Sequence, residues 1–83
     1  MTTGNDQSDL AAIRAEERRL YRLRRAMDVT AALLKSVELT LEEAQDVVNH
    51  AKNTALQLFP DKESTFDLIY APRFRRILSE KFN

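Results

Sequence analysis

Ile13, Leu20, Met27 and Leu34 recur every seven residues, and Leu23, Thr30 and Val37 stand three positions further on. At 100° per residue these positions share one face of a helix. No Gly or Pro interrupts residues 10–35, and Ala, Leu, Arg and Glu dominate them, so propensity agrees with periodicity. The stretch from about Leu10 to Lys35 therefore reads as one helix, a rod of roughly 40 Å at 1.5 Å per residue. Ser8 or Asp9 suits its start, because a short side-chain oxygen can accept from the free amides of a first turn.

The two halves of this helix differ. Arg14 to Arg25 holds six arginines against Glu16 and Glu17. Arg14, Arg18, Arg22 and Arg25 fall on one stripe, opposite the apolar seam. Like charges four residues apart cost an isolated helix roughly 0.2–0.5 kcal/mol per pair, and the neighbouring glutamates relieve the stripe only in part. From Ala26 to Val37 the helix is apolar almost all round, with Val29 and Leu33 pointing away from the seam. A helix apolar on two sides is usually covered on two sides, so this half is expected to lie between neighbours.

A second helix begins at a capping box, Thr40-Leu41-Glu42-Glu43, and runs to about Leu58 or Phe59, where Pro60 stops it. Its seam is Leu41, Ala44, Val48, Ala51, Ala55 and Leu58, small enough for close approach. A connection as short as Ser36–Leu39 predicts an antiparallel hairpin. The second helix is the shorter, so the start of the first should overhang. Pro60-Asp61 is turn chemistry, and a short helix over Ser64–Tyr70, capped by Ser64 or Asp61, follows. Ala71-Pro72 should break it, with Pro72 opening a last helix from Arg73 to about Lys81. This tail carries much of the aromatic surface and should dock on the hairpin. The fold class expected is all-α: a long antiparallel helical hairpin with one or two short C-terminal helices packed on it. Residues 1–9 read as a disordered N-terminus and 10–83 as a single helical domain.

Function is bounded mostly by exclusion. An 83-residue chain is small enough that association would help its stability. It has no cysteine, hence no disulfide and no thiolate metal site, which fits a cytoplasmic location. No apolar run approaches the roughly 18–20 residues of a membrane span, and Met1–Asp9 lacks the apolar core of a signal peptide. His50, with Asp46 one turn earlier, offers two ligands where a zinc site needs three or four. A single Gly cannot form a phosphate loop, and no nucleophile motif is present. No enzyme activity, cofactor or metal is expected.

The net charge is formally zero, yet the charges are segregated. Arg14–Arg25 is basic, Glu38–Asp46 is acidic, and Arg73–Lys81 is basic again. Such segregation favours contacts between unlike surfaces, within a chain or between chains. Arg14, Arg18, Arg22 and Arg25 are the partner-binding candidates. The reading reached from sequence is a non-catalytic protein-interaction or regulatory module, homodimeric, with a protein partner. The alternative is a small dimeric nucleic-acid-binding protein using the same stripe with Arg73, Arg75 and Arg76. A solvated stripe with no partner is the bland counterpart to both, and an anionic membrane ranks below them because the basic half lacks Trp and Phe.

Overall fold

The computed structural model describes residues 3–83, with side chains described from Asp9 onward. It is all-α: α1 spans Thr3–Ser36, α2 Leu41–Leu58 and α3 Glu63–Lys81, with no strand among the described residues. Met1 and Thr2, the first residues of the segment expected to be disordered, lie outside the described residues.

α1 begins earlier than its periodicity suggests, so Ser8 and Asp9 fall inside it instead of capping it. The backbone chemistry accounts for this. Once a helix exists, extending it forms one hydrogen bond for each residue fixed, and ordinary polar residues cost at most ≈ 0.7 kcal/mol each. The resulting 34-residue rod dominates a molecule whose longest dimension is 60 Å.

The core is shared by all three helices. Met27 and Leu34 of α1 and Phe74 of α3 are the largest fully buried side chains. Ala44, Ala51 and Ala55 present the small face of α2 to them, and each helix touches the other two. Thr30, the one polar residue of the seam that is buried, donates its hydroxyl to the Ala26 carbonyl at 2.8 Å. That bond removes the cost of an unsatisfied buried oxygen. The seam thins toward its ends: Leu20 and Leu23 are half-buried, while Ile13 and Val37 are exposed.

The tail departs from its sequence reading. α3 is one helix of 19 residues, longer than α2, and Pro72 lies within it. Proline lacks the N–H that would bond the carbonyl of residue 68, and its ring crowds that carbonyl. Leu68 and Pro72 are both exposed, so water can serve the vacated carbonyl. Phe66 before the proline and Phe74 and Ile77 after it are all buried in one core, and only a continuous helix keeps them on one side. Ile69, expected to dock, is 56% exposed. The expected Ser64 or Asp61 cap is also absent. The N-cap is Lys62, with no side-chain cap bond.

Polar contacts tie the helices at both ends. Lys52 of α2 reaches Glu63 at 3.0 Å and Asp67 at 3.1 Å on α3. The Arg19 guanidinium lies 5.6 Å from the centre of the Phe59 ring. Lys81 donates to the Leu34 carbonyl at 2.6 Å and also to the Val37 carbonyl.

Candidate interaction face on the first helix

The face is a consequence of spacing. Residues 18, 22, 25, 29 and 33 follow one another by three or four, which keeps them on one side of α1. The side opens with arginine and closes with Val29 and Leu33. All four candidate arginines are exposed. Among the described residues, no carboxylate forms an ion pair with Arg14, Arg18, Arg22 or Arg25. Glu16 pairs with Arg19, three residues on, at 2.7 Å. Asp28 takes Arg73 at 4.0 Å.

Val29 and Leu33 are 50% and 42% exposed. Within one chain, then, the second half of α1 is covered on one side only, contrary to the two-sided burial its composition suggests. α2 and α3 both pack on the seam side, and no other element among the described residues covers the opposite side.

A groove of about 650 Å³ runs between α1 and α2 along this side. Arg22, Arg25, Val29 and Leu33 line it from α1, and Asp46, Val47 and His50 from α2. The structure thus brings two of the four predicted arginines together with the Asp46–His50 pair. Arg14 and Arg18 continue the stripe beyond the groove. Arg73 approaches Asp28, beside Arg24 and Arg25, while Arg75 and Arg76 are exposed on α3.

The groove combines apolar and charged walls. It offers carbon along its floor, guanidinium groups on one wall, and one carboxylate with one imidazole on the other. No group of three or more His, Cys, Asp and Glu among the described residues could hold a metal ion. Among the described residues, no helix is long and apolar enough to cross a membrane. Set against family models, curated proteins and solved structures, the chain matches none of them.

On α2, one carboxyl and one ammonium titrate away from their ordinary values. The Thr40 amide, and after it the Thr40 side chain, hold the Glu43 carboxyl below its ordinary range. Glu63 and Asp67 raise the Lys52 ammonium above its own. The first belongs to the start of α2, and the second joins α2 to α3. Sequence reasoning located the stripe but missed Tyr21, Val29 and Leu33 as exposed members of the same side. The signal was present: Tyr21 and Val29 each lie four residues from Arg25, and Leu33 lies four beyond Val29.

Proposed function

We propose that this chain is a non-catalytic protein-interaction or regulatory module, an antiparallel hairpin of α1 and α2 braced by α3, acting through the outer side of α1. The four-residue link between the helices and the Arg19–Phe59 contact support the hairpin arrangement. The observation that carries the functional reading is the continuity of an arginine stripe, without ion pairs among the described residues, with half-exposed Val29 and Leu33. Charge without a partner beside apolar surface without a cover is how a helix engages another protein. The reading includes self-association as a homodimer and, from the absence of cysteine, a cytoplasmic location.

The test is a variant with Arg14, Arg18, Arg22 and Arg25 all replaced by Gln. Its helix content should match the parent, since all four side chains are exposed. Its binding to a fluorescent acidic amphipathic helical peptide should be lost. Equal affinity in parent and variant would sink the reading.

The nucleic-acid alternative has one observation in its favour. Arg73 is drawn to Asp28, which adds a C-terminal arginine beside the stripe. Binding of random-sequence DNA that weakens steeply with salt is its signature. No binding at low salt removes it.

A further inference from the structure

We propose that the outer side of α1 is covered by a second copy of this chain, lying antiparallel to it across a two-fold axis level with Ala31. This rests on the reading of that side as an interaction surface.

The order of residues along the face carries the argument. From its N-terminal end the side runs through Arg14, Arg18, Arg22 and Arg25, then Val29, Ala32 and Leu33. The chain then turns into Glu38 and Glu42. It is basic, then apolar, then acidic. A second copy turned end for end sets apolar on apolar in the middle. It also sets basic on acidic at both ends, because a two-fold axis makes every contact twice. With the axis level with Ala31, Val29 meets Leu33 of the second copy. Arg18 and Arg22 come over the turn that carries Glu38 and Glu42 of the second copy. Those arginines have no ion-pair partner among the described residues of their own chain. A foreign acidic helix would answer only the basic half and leave Glu38 and Glu42 unmatched.

Shape and area agree. The groove between α1 and α2 is a concave seat for a helix, with Val29, Leu33 and Val47 on its walls. A compact monomer of 9.6 kDa is expected to expose about 5,100 Å², whereas this chain exposes 6363 Å². The excess is larger than the ≈ 800 Å² that each partner of a standard dimer buries, and the exposed start of α1, Asp9 to Arg14, holds part of it.

The experiment is mass by light scattering across a concentration series, with far-UV circular dichroism on each protein. The parent should run at twice 9.6 kDa. Arg18→Glu with Arg22→Glu, and separately Glu38→Arg with Glu42→Arg, should each weaken self-association at least tenfold. An equimolar mixture of the two variants should dimerise again, because both ends of the mixed pair are matched. A monomeric parent overturns the proposal, as do variants that still dimerise alone or a mixture that stays monomeric.

Should a charge variant lose its helix content, a cysteine pair decides. The chain has no cysteine of its own, so Val29→Cys mixed with Leu33→Cys should oxidise to a cross-linked pair, and absence of the link overturns the proposal. A monomeric parent that still binds the acidic peptide would defeat the second copy alone. A monomeric parent that does not bind it would defeat the interaction reading as well.

Discussion

The Lys81 ammonium donates to the Leu34 carbonyl at 2.6 Å, across 47 residues of sequence, and to the Val37 carbonyl as well. The last turn of any helix leaves carbonyls without intrahelical donors. Here a cation from the end of α3 serves the end of α1, where the helix dipole also favours positive charge. Lys81→Met should therefore cost about 1 kcal/mol, the scale of a partly exposed charged hydrogen bond. In a domain of this size that lowers the melting temperature by roughly 4–8 °C. Urea denaturation with an unchanged slope checks that stability alone has moved.

Pro72 lies in the middle of α3 and is exposed. Pro72→Ala restores an amide donor and removes the ring from the preceding carbonyl. The helix-interior preference for alanine is ≈ 3 kcal/mol, reduced by the extra freedom that alanine gives the unfolded chain. A net gain of about 2 kcal/mol is expected, read as a higher urea midpoint. A lower midpoint would mean that the proline shapes α3 in a way the core depends on.

Phe74 is 1% exposed and packs tilted against Phe66 at 6.3 Å between ring centres. Phe74→Ala should cost about 3–5 kcal/mol through lost transfer energy and the cavity left behind. The total stability of so small a domain is itself only about 4–12 kcal/mol. The variant should melt well below the parent by circular dichroism.

The capping box gives a stability that depends on pH. The Thr40 amide donates to the Glu43 carboxylate at 2.9 Å, and the Glu43 amide donates to the Thr40 hydroxyl at 3.1 Å. Because the folded Glu43 carboxyl titrates below its ordinary value of 4.5, its contribution is complete above that pH. It fades as pH falls through the lowered value. Thr40→Ala should cost about 1 kcal/mol at neutral pH, and the gap between parent and variant should narrow in acid.

Lys52 works in the opposite direction. Its folded value is raised above 10.5 by Glu63 and then Asp67, so its contribution is present below 10.5 and is lost as pH rises through the raised value. In Lys52→Met, that alkaline decline should be shallower than in the parent, as thermal melts between pH 9 and pH 12 would show.

What could be read from sequence was what local chemistry decides. Thr40 and Glu43 are three residues apart and complete each other, so the start of α2 needs nothing from the rest of the fold. The seven-residue recurrence through Met27 and Leu34 likewise identifies the buried side of α1. Pro72 was misread because the local rule, that proline ends a helix, competes with a tertiary one. Phe66, Tyr70, Phe74 and Ile77 are spaced by four, four and three, a period that crosses the proline unbroken and was the better guide. Val29 and Leu33 show another limit. Their apolar character says that a cover is wanted, but not that α2 and α3 are both committed to the other side. The arginine stripe was legible as a position, since spacing alone determines it. Its lack of ion pairs among the described residues depends in part on Asp28, three residues beyond Arg25, meeting Arg73 of α3, which spacing within α1 does not decide.

The free end of α1 has a kinetic consequence. Every residue from Asp9 to Arg14 is exposed, whereas Met27 and Leu34 are sealed. One unbroken helix therefore spans two regimes of opening. Amide protons near Leu34 can reach solvent only when the whole domain comes apart, while those of the uncovered turns are released by fraying that leaves the core intact. In deuterated water α1 should exchange as a gradient along its length, and the residue where protection begins would mark where the bundle takes hold of the rod.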